Sequence, residues 1–561
     1  MKTLSVLIAV TLMTAPAVAQ TGTWTPLRSE PTFLNPPSQC RAHPNANCSP
    51  GGYSFGLILN VNLLTDGSVL FETMAVDDNG NISFSEYKLT PDLSGSYADG
   101  KWTQVASLPN AASSANPKGW APYAMASAVL PDGRVIYEGG EYSGAPLSFT
   151  FANQGAIYDP VQNTWTPVPP PSFFQNLYPA DPPHLPGFNS VFSYPRYPVP
   201  YTSNLRNVIG DAQSVVLPNG TFMLASKLSR QQALLDPKTL TWTETGAGKA
   251  DLNSEEGWTL LPNGKVLTVD TDLDYTFGLT STYTPGNSEL YDPQTGTWSS
   301  AGHTGKALTS FPEGEIGPAV LMPNGVVFAQ GDKGSSALYD SDRNQWTPGP
   351  TLPAVSVNGQ KLQLTAADTG AALLPNGNVL LSATASTDEL PPTKFFEFDG
   401  RKLIPEPGTP NSPLVAGVNM LVLPSGQILV FDFSTTDVEL YTPSRTEHLP
   451  WYAPFAVEWP SVVQPGKTYN LTGIYLNGVS QGAMEGDDFQ SATNYPLVRI
   501  TNALTRHVFY SRTHHFSSMA VASHTPVTAS FDVPANQEKG LSLLVIVTNG
   551  VPSVPVPILV N

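Results

Sequence analysis

Four carboxylates recur at nearly one offset from a repeated turn glycine. Asp211, Glu255 and Asp368 each stand nine residues before a glycine (Gly220, Gly264 and Gly377), and Glu315 stands ten before Gly325. Glu256 lies directly beside Glu255. Residues at a fixed distance ahead of the same turn occupy equivalent places in equivalent units, so these acids are expected to converge. Converging carboxylates support three readings. Hard oxygen ligands hold Ca2+ or Mg2+. Crowded acids push one another's pKa upward and set a protonated acid beside an ionised partner, as glycan-cleaving enzymes require. In the third, each acid accepts backbone hydrogen bonds at its own turn and serves stability alone.

Other residues could carry chemistry. Asp487 and Asp488 sit in a glycine-flanked loop and form a second, weaker Ca2+ candidate. His514 and His515 follow Arg512 at the end of an expected strand. Neighbours on a strand point to opposite faces, which makes the two a poor chelate, although His514 and Arg512 would join an interdomain site if this segment faces the rest of the chain. No HExxH metalloprotease signature and no phosphate-binding glycine loop is present.

The elements that must position these residues form a repeat. Seven segments, Val61–Leu70, Ser127–Tyr137, Ser214–Leu224, Trp258–Thr268, Pro318–Phe328, Ala371–Leu381 and Met420–Val430, run from an apolar strand through Asp-Gly, Asn-Gly or Ser-Gly into another apolar strand. After most of them comes a Tyr-Asp-Pro-like turn and a strand beginning with Trp, as in Tyr158…Trp165, Leu235…Trp242, Tyr291…Trp298 and Tyr339…Trp346. Tyr87…Trp102 is a stretched version, and Phe396–Gly400 lacks the Trp. Four strands per unit and seven units predict a β-propeller. The last unit lacks its Trp strand, and an orphan Thr-Trp-Thr near the amino terminus predicts that residues 23–27 close the ring.

Composition suits this fold. The 561 residues include 55 Pro and 46 Gly, with only 13% charged. A net charge of −18 argues against an extended nucleic-acid or anionic-membrane surface. Residues 1–19 read as a secretory signal, with Lys2, an apolar run and Ala17-Val18-Ala19 before Gln20, so a secreted or periplasmic protein without membrane insertion is expected. Cys40 and Cys48, the two cysteines, are then most simply a local disulfide, worth about 2–3 kcal/mol.

The repeat resembles kelch repeats, and the whole arrangement is similar to the galactose oxidase-like superfamily. Residues 20–450 would be the propeller, the Pro- and Trp-rich stretch Trp451–Pro465 reads as a linker, and residues 455–561 alternate as an immunoglobulin-like β-sandwich. Gly486-Asp487-Asp488 followed by Asn494–Arg499 resembles a bacterial subgroup. The resemblance implies copper ligands nine residues before the turn glycines, a tyrosine cross-linked to cysteine, and a histidine from the C-terminal domain. The residues present are Ile58, Ala124 with Tyr123 one place off, and Gly417 preceded by Ala416. His507 is the nearest histidine, at a departing spacing. Copper is therefore disfavoured.

An insert, residues 167–207, carries Phe173, Phe174, Tyr178, Phe188, Phe192, Tyr194, Tyr197 and Tyr201 and is expected to border the acids. Aromatic faces beside carboxylates suit sugar rings. The expectation is a carbohydrate or other polar ligand bound at an acidic pore mouth. The alternatives are a hydrolase or lyase using two of the same carboxylates, and a cell-envelope scaffold.

Overall fold

The computed structural model describes residues 21–28, 56–77, 79–174, 208–227, 229–271, 286–309, 315–357, 359–385, 393–409, 418–431, 438–444 and 449–561. Cys40, Cys48, residues 1–19, Ala416, Gly417 and six of the insert's eight aromatics lie outside them.

The turn glycines set the architecture. Gly67, Gly133, Gly220, Gly264, Gly325, Gly377 and Gly426 all have φ between 77° and 89°, a left-handed conformation open to glycine at no steric cost. Each donates its N–H to the carbonyl three residues back, as Gly133 does to Leu130 at 2.8 Å. The preceding Asp, Asn or Ser accepts the N–H two residues on, as Asn263 does from Lys265 at 3.0 Å. These turns join the first two strands of seven antiparallel four-stranded blades of a propeller; six are separate sheets, and the sixth blade's sheet is extended to six strands by a C-terminal hairpin. The strand Thr23–Pro26 supplies the outer strand of the seventh blade, with Trp24 opposite Tyr441. Fold class is all-β, a seven-bladed propeller followed by a β-sandwich.

Five outer-strand Trp side chains, Trp165, Trp242, Trp298, Trp346 and Trp24, each bond to the blade before their own. Tyr158 and Trp165 are paired, with ring centroids 5.0 Å apart, and Trp165 Nε1 donates to Ala106 O at 2.8 Å. Trp242 reaches Pro169 O, Trp298 reaches Gln232 Oε1, Trp346 reaches Ser288 Oγ, and Trp24 reaches Pro407 O.

The C-terminal sandwich contains Phe455–Glu458, Thr468–Ile474, Leu497–Asn502, Val508–His514, Val527–Asp532, Gly540–Thr548 and Val556–Val560. Val508–His514 changes sheets: its first half pairs with Leu497–Asn502, and Arg512–His514 pair with Val527–Asp532, the corner expected of packed sheets. Within the Pro- and Trp-rich stretch expected as a linker lie two strands, Phe455–Glu458 and Val462–Val463, the first at residue 455, where the sandwich alternation begins.

The sandwich packs on the face that carries the turn glycines. Tyr510 lies over Gly67, where a Cβ would come within 2.5 Å of its ring, and Arg512 Nη2 donates to Asp132 O at 2.7 Å. From this base a hairpin, Gly482–Met484 and Gln490–Ala492, enters the propeller axis. Met484 and Ala483 pair with Ala371 and Ala372 of the sixth blade's inner strand. Ser491 Oγ donates to Val61 O, Ser127 Oγ to Gln490 O, Ser214 bonds to Gln490, and Leu260 N donates to Gln481 Oε1. The hairpin also touches the inner strands of the fifth and seventh blades. Its tip, residues 485–489, emerges among the starts of the inner strands, on the face opposite the sandwich.

Candidate acidic mouth

Three of the offset positions have left-handed backbones: Ala124 (φ 51°), Glu255 (φ 50°) and Asp368 (φ 44°). Such a conformation costs a non-glycine residue roughly 1–2 kcal/mol, and it is held at one register in blades two, four and six. The kink turns the chain sharply before each inner strand. At Glu255 it sends neighbouring carboxylates to different places.

Glu255 faces the mouth. There Lys227 Nζ bonds to Asp211 Oδ2, lies 2.7 Å from Glu255 Oε2 and 2.8 Å from Asp487 Oδ2. Lys227, Asp211 and Asp487 are buried, and Glu255 is half-buried. Glu315 and Asp368 share a hydrogen bond, close enough to Glu255 and Asp487 to feel their charge. Glu141 and Asp488 lie beside Asp211. Glu485, buried at the hairpin tip, senses Asp368, Asp487 and Glu255.

Crowding of acids around one ammonium governs their protonation. Burial pushes Asp211 up to about 6, with Lys227 opposing and Glu255 adding to the rise. Glu141, Glu315, Glu485, Asp487 and Asp488 are all raised well above their ordinary range, chiefly by burial and then by neighbouring carboxylates. The mouth can therefore hold protons, accept hydrogen bonds from hydroxyls, and take a cation in their place.

The structure thus brings Asp211, Glu255, Glu315, Asp368, Asp487 and Asp488 together. Tyr123 borders them: its ring is 5.6 Å from Tyr142 and 5.8 Å from Phe489 of the hairpin tip. Glu256 does not join. It turns to Lys249 Nζ at 2.8 Å, in a separate buried network with Glu289 and Asp270 beneath Trp298. Burial opposes the charge on Lys249, but Glu256, Asp270, Glu289 and Asp251 outweigh it and raise its pKa.

The histidines lie elsewhere. His507 Nδ1 is 2.6 Å from Glu538 Oε1 and belongs to the sandwich surface, so the mouth receives Asp487 and Asp488 from the C-terminal domain and not that histidine. His514 Nε2 is 3.1 Å from Asp532. Its ring does not point away from His515: a left-handed φ of 53° at His515 ends the strand and brings the two Nδ1 atoms to 2.5 Å. Phe174 is buried in the propeller core and Phe173 packs against it, so neither is a free face at the mouth.

Three mouth residues escaped the sequence reading: Glu141, Lys227 and Glu485. The second strand of a blade runs back toward the mouth, so a count of seven or eight residues forward from Gly220 and Gly133 reaches Lys227 and Glu141. That count complements the backward one. Glu485 had no such signal, because the hairpin belongs to no repeat.

No family model matches this chain, and no curated protein does. Among solved structures it is similar to a catalytically inactive virginiamycin B lyase from Staphylococcus aureus, at 11% identity over 69% of this chain and 100% of that one, with a TM-score of 0.37. YjhT is similar at 12% identity over 64% and 99%, with a TM-score of 0.37. PorZ, a surface component of the type-IX secretion system of Porphyromonas gingivalis, is similar at 10% identity over 88% and 68%, with a TM-score of 0.32. These likenesses are too distant to bear on activity.

Proposed function

We propose that this protein is an exported member of the galactose oxidase-like propellers that binds a carbohydrate or similar polyhydroxyl ligand at the acidic mouth. The carrying observation is convergence: carboxylates of several blades and of the C-terminal hairpin gather around one buried Lys227 beside the Tyr123–Tyr142–Phe489 cluster. Acceptors that cannot all pair with one ammonium suit hydroxyl donors, and the ring face of a half-buried tyrosine such as Tyr123 or Tyr142 suits a sugar ring. Burying so many like charges costs stability, which is the pattern expected where selection acts on binding. A glycan array tests the reading. Wild type is expected to retain one class of oligosaccharide, and Glu255→Gln to lose at least tenfold in affinity for it. Unchanged binding in the variant would place the ligand elsewhere, and no retained glycan would remove the carbohydrate assignment.

The Glu315–Asp368 pair favours a second reading, glycan cleavage. Glu315, raised by burial and hydrogen-bonded to Asp368, suits the protonated general acid, and a carboxylate farther off in the mouth, Asp211 or Glu255, would be its partner. Release of reducing ends or unsaturated products, abolished in Glu315→Gln, would support it. Intact substrate after prolonged incubation would exclude it for the glycans tested.

A further inference from the structure

We infer that Glu141, Asp211 and Asp488 form a Ca2+ site within the mouth, one that links the protein to hydroxyl oxygens of its ligand. The inference rests on the reading of the mouth as a ligand site and adds the ion that completes it.

Two acidic triads share Asp211. In the first, Asp211, Glu255 and Asp487 surround the Lys227 ammonium, so a cation is already built in. The second contains Glu141, Asp211 and Asp488, with one oxygen of each within 4.8 Å of the others. Oxygens bound to one Ca2+ at about 2.4 Å lie no more than about 4.8 Å apart, so a single ion can span this triad. Lys227 bonds to the three acids of the first triad and acts on Glu141 through its charge.

Asp211 supplies an independent sign. It is 1% exposed; its Oδ2 is taken by Lys227, while its Oδ1 is buried without a hydrogen-bond partner. A buried carboxylate oxygen with no donor is costly, and a metal ion is a partner that it shares with Glu141 and Asp488.

Main-chain bonds fix the three residues relative to one another. Gly140 N donates to Gly210 O at 2.8 Å, Glu141 N to Ala124 O at 2.9 Å, and Met125 N to Asp488 O at 2.9 Å. Ala124 is the left-handed residue of its blade, so the kink there ties Glu141 and the hairpin tip to one point. Glu141 and Asp488 are half-buried and leave an open side for water or sugar hydroxyls to fill the remaining coordination.

The test uses the full chain, stripped with EDTA and titrated with CaCl2 by calorimetry and thermal melting. Saturable one-site binding and a higher Tm are expected, with Ca2+ affinity falling at least tenfold in Asp488→Asn and in Glu141→Gln. No calcium heat and no Tm shift in wild type would overturn the inference, as would equal affinity in wild type and both variants. If either variant fails to fold, Tb3+ luminescence of wild type decides: emission sensitised through Tyr142 and displaced by Ca2+ supports the site, and its absence overturns it. Failure here is separable from failure of the carbohydrate reading. Glycan binding that persists in EDTA removes the ion alone, whereas Ca2+ binding without any retained glycan removes the glycan alone.

Discussion

Glu72 and Glu86 face each other across neighbouring strands of the first blade, and Glu138 lies in the second; all three are fully buried. Burial raises each carboxyl, Glu72 additionally through Glu86, and brings Glu86 to about 7. The folded state thus binds a proton at Glu86 that the unfolded chain releases near pH 4.5. Stability from that proton is complete below pH 4.5, is lost as pH rises toward 7, and does not return above it. Glu86→Gln is therefore expected to match wild type in denaturant titrations at pH 4 and to exceed it at pH 8, by on the order of 3 kcal/mol. Equal stability at both pH values would show that Glu86 ionises freely. The same residue-scale logic separates Glu255 from Glu256. Sequence placed both at the mouth, because a count from the glycine cannot see that φ turns positive at Glu255 and directs the next side chain to Lys249.

The blade is legible in sequence because its turns are chemically specific. Asp-Gly or Asn-Gly between apolar runs predicts the left-handed glycine seen in every blade, and the Tyr…Trp spacing predicts the outer strand. The stretched copy shows the limit: Trp102 pairs with Leu89, not Tyr87, and packs on Phe71 at 4.6 Å. Ring closure depends on Trp24, half-buried between Phe395 and Tyr441. Trp24→Ala is expected to lower stability by about 2–3 kcal/mol, less than for a fully buried large aromatic because the ring is partly exposed. A loss below about 0.5 kcal/mol in chemical denaturation would mean that the amino-terminal strand contributes little to the last blade. The axial hairpin was not legible. Its strands are three residues each, carry no repeat signature, and take their partners from inner strands distant in sequence.

At the scale of the molecule, that hairpin joins the two domains mechanically. The sandwich packs on one face of the propeller and its tip reaches the other, bonding to inner strands on the way. Propeller and sandwich are accordingly expected to melt in one calorimetric transition; two well-separated transitions would show that the hairpin bonds do not couple them. The central claim is that blade acids and hairpin acids act on one ligand. A double-mutant cycle with Glu255→Gln and Asp487→Asn measures it directly, using the oligosaccharide best retained on the array as probe. Because both carboxylates hold Lys227, each single variant is expected to weaken binding and the pair to be coupled by about 0.5–3 kcal/mol. Binding that is unaffected by either change, or losses that simply add, would contradict a shared site.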